Sequence, residues 1–499
     1  MVKDRVQKDI GPIEQLQDWY AIDWQTTEQR VKNLRQRIFR ATENAQWNKV
    51  RSLMKLMLRS RSNLLVSVRR VTQENQGKKT PGIDKQVALT TKARVKLVKQ
   101  MSQYSAWKVQ PAQRVYIPKA NGKQRPLGIV TIKNRVAQAV MKNALEPSWE
   151  ARFEANSYGF RPGRSCQDAI EQCFCRLHRG CRDKWVLDAD VEAAFDNICH
   201  DFIMQRLGKI PGRALIKEWL KAGYVEAEIF HATSSGVQQG GVISPLLANV
   251  ALDGLDTLLK GRSGFIRYAD DLVITAESRE QIEAIKSVVE TFLAERGLAL
   301  NAKKTRIVSI DDGFNFLGFN VRRYKGKCLI KPQKEKVLAF VKEIRTWLKH
   351  NRQIEAAGVI RYLNPRLTGW ANYYRHVVSK EVFSYVDAQV WKALWKWCLR
   401  RHPTKSKYWV RKKYFSIAGG KCWRFFANSR MTNGKLQVLY LTMIGEIPIE
   451  RHRKIRGNAS PDNPALQEYW HRRQQAASIR KQRRKQQVAE RFSEAGGLS

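Results

Sequence analysis

Between residues 28 and 75 apolar side chains return every three or four positions; within 47–57 they fall at Trp47, Val50, Leu53, Met54 and Met57. That spacing lays one stripe along a helix and predicts basic, amphipathic helices. Arg30, Lys32, Arg35, Arg37 and Arg40 stud the preceding stretch, as a solvated face or as one that meets phosphate. The period breaks at Gln76-Gly77-Lys78-Lys79-Thr80-Pro81-Gly82-Ile83-Asp84, a run of turn formers. Residues 114–130 then predict a β-hairpin turning at Asn121-Gly122, with Lys119, Lys123 and Arg125 beside the turn. A helix-rich stretch runs to about residue 180. Two short apolar runs follow, Val186-Leu187-Asp188-Ala189-Asp190-Val191 and Phe265-Ile266-Arg267-Tyr268-Ala269-Asp270-Asp271-Leu272-Val273-Ile274. From about residue 333 the helical period returns, basic and tryptophan-rich, and 472–491 is a basic tail, helical or disordered. No internal repeat is present. Strands set among helices predict an α+β fold.

Composition narrows the class. A chain of 499 residues exceeds one compact domain and suggests about three. Hydrophobic residues, 43% of the chain, suffice for real cores. The net charge of +46 and pI near 10.2 call for a large polyanionic partner, bound less tightly as salt rises. Eight cysteines include no C-x-x-C pair and no zinc-like spacing, so they read as reduced thiols of an intracellular protein. No apolar run is long enough to cross a bilayer, and the first residues carry Asp4, Asp9 and Glu14 rather than a hydrophobic signal.

The acids change the picture most. Carboxylates between strand-forming residues are costly to bury unless they pair or hold cations. Two strands that bring Asp190 beside Asp270 and Asp271 would build a site for two Mg²⁺ ions, the arrangement suited to nucleotidyl transfer. A solvated Asp-Asp turn is the alternative for the dipeptide alone.

In their fixed order, spanning nearly the whole chain, these motifs resemble those of group II intron-encoded reverse transcriptases, the maturases of bacterial and organellar introns. The resemblance implies a right-hand polymerase: a basic helical extension and start of fingers (15–95), fingers and palm (96–325), a helical thumb or maturase region (330–430) and a basic DNA-binding region (435–499). Residues 187–198 look like the first palm motif, in which Asp190 and the carbonyl of Val191 hold metal. Phe195, five residues on, would exclude a ribose 2′-hydroxyl, with a core phenylalanine as the plain alternative. Asp188 shares the strand face of Asp190, and Asp196 is expected to bond backbone in the next turn.

Gly236-Val237-Gln238-Gln239-Gly240-Gly241 resembles the loop that holds the incoming nucleotide, with Gln239 and Gly240 at the sugar and base. Gln238 stands where the family usually has proline, which questions the loop's rigidity. Lys304 would protonate the leaving pyrophosphate; Lys119 and Arg125 would bind the triphosphate. Phe316, Leu317 and Gly318 would form the primer grip. Arg35, Lys79, Trp370, Tyr374, Arg400 and Arg401 are expected to meet RNA, rings on bases and cations on phosphate; Trp391 and Trp395, one helical turn apart, read as core.

The implied activity is RNA-directed DNA synthesis, with intron RNA binding that assists splicing and mobility by target-primed reverse transcription. Expected partners are intron RNA, an RNA template with DNA primer, target DNA and dNTPs, with no membrane. The expected location is the bacterial cytoplasm, at the nucleoid through the intron ribonucleoprotein, an organellar origin being left open. The Cys- and His-bearing HNH endonuclease of many relatives is not expected. Two rival readings are a splicing-only RNA-binding maturase and a domesticated or CRISPR-associated reverse transcriptase.

Overall fold

The computed structural model describes residues 16–102, 109–118, 122, 124–259, 263–417, 423–430 and 436–493. The chain divides into two compact units. The first comprises residues 1–165, 186–307 and 455–467; the second comprises 166–185, 308–454 and 468–499.

In the first unit the basic amphipathic stretch forms helices Trp24–Glu43, Trp47–Arg59 and Arg61–Arg69. Asp23 caps the first by accepting from the Thr26 amide, and Ser60 caps the third through Asn63. Val50, Leu53, Met54 and Met57 are buried as their period requires, whereas Trp47 stays 45% exposed. These helices pack with Ile132–Glu150, where Asn63 and Asn143 satisfy each other inside the interface at 2.7 Å.

Eight strands follow before residue 310: β1 Ala112–Pro118, β2 Gln124–Ile129, β3 Trp185–Asp190, β4 Tyr224–Glu226, β5 Ile229–His231, β6 Gly264–Tyr268, β7 Asp271–Ala276 and β8 Arg306–Ser309. They form two four-stranded sheets, β2-β1-β4-β5 and β6-β7-β3-β8. The predicted hairpin is the antiparallel pair β1–β2, in register from Gln113↔Ile129 to Pro118↔Gln124. Lys119 and Lys123 at its tip lie outside the described residues.

The second unit contains β9 Phe314–Phe316, β10 Phe319–Tyr324 and β11 Lys327–Pro332, then helices Lys334–His350, Ala356–Tyr374 and Lys380–Arg401. A further sheet, β12 Phe415–Ile417, β13 Trp423–Arg430 and β14 Leu436–Tyr440, follows where the sequence suggests only helix. The basic tail is one helix, Gln467–Ser493. Buried Asp168, on helix Cys166–Leu177, accepts from His452 at 2.8 Å and pairs with Arg473 at 3.5 Å, which anchors the tail within this unit.

Two features depart from the sequence reading. Arg35 is not an RNA contact: its guanidinium pairs with Asp462 at 2.6 Å and Glu146 at 2.9 Å, with 14% of the side chain exposed. That clamp fastens residues 455–467 into the first unit, helped by Arg164 donating to the Gly457 carbonyl at 2.9 Å. Trp370 and Tyr374 belong to an aromatic core. Trp370 stacks on Phe340 with ring centroids 4.9 Å apart and leans on Tyr374 and Phe383. Trp391 and Trp395 stack on each other and against Phe415, as their spacing suggests.

Candidate active site

Strands β6 and β7 pair from Gly264↔Thr275 to Tyr268↔Asp271, which leaves Ala269 and Asp270 as a two-residue turn. Ala269 takes the left-handed conformation this turn needs, φ 58°. β3 lies next to β7, and the Val191 amide donates to the Asp270 carbonyl at 3.3 Å. The Asp190 carbonyl in turn accepts from Asn301 at 2.8 Å. Asp190, Val191, Asp270 and Asp271 therefore meet at one end of one sheet.

The electrostatics record that crowding. Burial, then the charges of Asp270, Asp190 and Asp188, push Asp271 up to about 7. Asp270 is raised by burial, with Asp190 adding to it, and Asp188 reaches about 6 mainly through burial. Lys304 answers the acids: its Nζ lies 2.8 Å from Asp190 Oδ2, and that hydrogen bond holds its pKa above the ordinary lysine value. Among the described residues no three His, Cys, Asp or Glu side chains are gathered closely enough to close on a metal as they stand.

The glycine-rich loop packs beside the acids. The Val237 amide donates to the Phe195 carbonyl at 2.6 Å, and a Cβ on Gly240 would stand 2.5 Å from the Gly128 carbonyl. Only glycine fits there, where the loop presses on the β1–β2 hairpin at φ 114°. Gln238, where the family usually has proline, donates its side-chain amide to the Gly223 carbonyl at 3.3 Å. Gln239 is held at both ends. Its Oε1 accepts from Arg125 Nε at 3.1 Å, while its Nε2 donates to both Asp196 oxygens at 3.1 and 3.0 Å. Asp196 thus binds a side chain 43 residues away, not the backbone of its own turn. Phe195, Asp196, Gln239 and Arg114 help line a pocket of about 310 Å³.

Behind the turn lies a network that the sequence reading did not single out. Arg267, fully buried on β6, donates to Asn249 at 2.9 Å and pairs with Glu154 at 3.4 Å. Arg161 pairs twice with buried Glu150, at 3.0 and 3.1 Å. An arginine inside the apolar run Phe265-Ile266-Arg267 was the available signal.

The remaining expected residues divide by exposure. Lys79 and Arg400 are exposed. Arg401 is occupied, donating to the carbonyls of Arg352 at 2.8 Å and Ile354 at 2.6 Å, so its role is to tie backbone. Leu317 and Gly318 form the two-residue turn between β9 and β10, and Tyr373 Oη donates to the Leu317 carbonyl at 2.8 Å. Phe316 is buried and anchors that turn rather than presenting its ring.

Comparison with known proteins now places the chain. Residues 117–321 match "Reverse transcriptase (RNA-dependent DNA polymerase)", 19–101 match "N-terminal domain of reverse transcriptase", and 337–415 match "Group II intron, maturase-specific domain". Protein YkfC of Escherichia coli is 34% identical over 319 residues, covering 54% of this chain and 84% of that protein. Group II intron-encoded protein LtrA of Lactococcus lactis is 27% identical over 401 residues, covering 60% of this chain and 66% of that protein. The chain belongs to the group II intron reverse transcriptases with a maturase domain. In this reverse transcriptase the match at 117–321 spans the strands that carry the acids, and the maturase-specific match at 337–415 falls on the helices Lys334–His350, Ala356–Tyr374 and Lys380–Arg401.

Proposed function

We propose that the site copies RNA into DNA with Asp190, Asp270, Asp271 and the Val191 carbonyl as the ligands of two Mg²⁺ ions. The donor set fits a hard divalent cation: all are oxygens, and three are carboxylates whose crowding a dication would relieve. Such ions would lower the pKa of a primer 3′-hydroxyl and neutralise a triphosphate. The chain's own groups do the rest. Arg125, with Lys119, binds the triphosphate; Gln239 orients Arg125 and the sugar; Phe195 closes the space a 2′-hydroxyl would need. Lys304 Nζ carries the proton for the departing pyrophosphate. RNA template, DNA primer, dNTPs, target DNA and the intron RNA are the proposed partners, with Lys79 and Arg400 among the free cations for phosphate.

The convergence of β3 and β7 at the Val191–Asp270 hydrogen bond carries this reading. A primed RNA template with dNTPs and Mg²⁺ tests it. Wild type should extend the primer and Asp270→Asn should not, while RNA binding and stimulation of intron splicing at low Mg²⁺ both survive. Extension by Asp270→Asn at the wild-type rate would defeat the assignment.

A further inference from the structure

Phe160 is unusual on three counts. Its backbone is left-handed, φ 61°, a conformation that bulky residues rarely adopt. It is 50% exposed, so burial does not explain the ring. The ring also meets Phe195 edge-on, with centroids 6.0 Å apart and planes at 85°.

The neighbours show how this conformation is imposed. Gly159 lies flat on the acid-bearing turn: a Cβ there would stand 2.3 Å from the Ala269 nitrogen. Its carbonyl accepts from Asn249 Nδ2 at 2.9 Å. On the other side, Arg161 is clamped by Glu150 and donates to the Ser157 carbonyl at 2.9 Å. Residue 160 is thereby fixed from both sides, and a strained backbone kept without burial marks a functional demand.

We propose that Phe160 is a positioning residue for Phe195, a side wall that stops the gate ring from swinging away. The inference rests on the reading of Phe195 as the sugar gate. A ring excludes a 2′-hydroxyl only as far as it resists displacement. Phe195 sits on a single helical turn, Ala194–Asn197, entered through left-handed Ala193. The edge contact with Phe160 is lost if Phe195 rotates, so it adds directly to that resistance.

Single-nucleotide incorporation on a primed RNA template, with the full chain, tests this through the ratio of kcat/KM for dNTP over rNTP. Phe160→Gly relieves the left-handed backbone while giving up the ring contact, so its melting temperature should stay close to wild type. Its discrimination ratio should drop about two- to tenfold, the worth of one edge-to-face ring pair. Phe160→Tyr, which keeps the ring, should retain the wild-type ratio. Phe195→Ala should lower the ratio further, and adding Phe160→Gly to it should change nothing more. If Phe195→Ala collapses discrimination while Phe160→Gly leaves the ratio untouched, the side wall is refuted and the gate stands. If Phe195→Ala itself leaves the ratio unchanged, the gate reading fails and takes this inference with it.

Discussion

At the scale of single residues, Gln239 is fixed because each end of its amide has a partner of the right polarity. Asp196 can only accept and Arg125 can only donate, so the amide has one orientation. Asp196→Ala removes one anchor and leaves Arg125 resting on a mobile acceptor. A hydrogen bond to a charged group is worth about 1.5–3 kcal/mol. The KM for dNTP should therefore rise about tenfold, with kcat less affected and Asp196→Asn intermediate; a dNTP titration that finds KM unchanged in the alanine variant rejects the role. The acids at 190, 270 and 271 were legible because apolar residues flank them on both sides. The partner of Asp196 was not, since short-range rules point a post-motif aspartate at its own turn. Only the approach of the glycine-rich loop brings Gln239 within reach.

Among elements, the helix Lys380–Arg401 illustrates how burial sets a pH response. Asp387 on it accepts from the amides of Ile444 at 3.0 Å and Gly445 at 2.6 Å. Burial nonetheless pushes its pKa to about 6. His376, buried against Phe319, is pulled to about 4 by burial and then by the charge of His452. Their effects oppose. A carboxyl raised on folding binds more protons in the native state, so its contribution to stability declines as pH climbs from about 4 to 6. A histidine lowered on folding binds more protons when unfolded, so its contribution grows from about pH 4 to 6.5. Relative to wild type, Asp387→Asn should make melting temperature rise more steeply across pH 4–6.5, and His376→Asn should make it rise less. Parallel shifts in both variants would contradict this assignment. Helix periods announced these elements well. The strands of residues 415–440 went unseen, because cations and aromatics interleave there without the alternation that marks a strand.

For the molecule as a whole, the charge of +46 favours a polyanionic partner but does not say which cations would meet it. Arg35 and Arg401 look like their neighbours in sequence, yet carboxylates and carbonyls already occupy them. Each phosphate contact on single-stranded RNA contributes about 0.7 to the slope of log affinity against log salt. Lys79→Ala and Arg400→Ala should each shrink that slope by about this amount, without loss of melting temperature. Arg35→Met should keep the slope and instead destabilise the fold by about 3–5 kcal/mol, since it takes the ion-pair partner from buried Asp462 and leaves Glu146 with Lys142. Salt titrations of RNA binding beside thermal melts separate the two classes, and a smaller slope for Arg35→Met would overturn its placement.

The pairing of Arg35 with Asp462 joins positions 427 residues apart. During translation the helix bearing Arg35 is made first, and its carboxylate partner follows only after more than four hundred further residues. The amino-terminal helices therefore wait, with Glu146 as an acidic counterpart of Arg35, until residue 462 has left the ribosome.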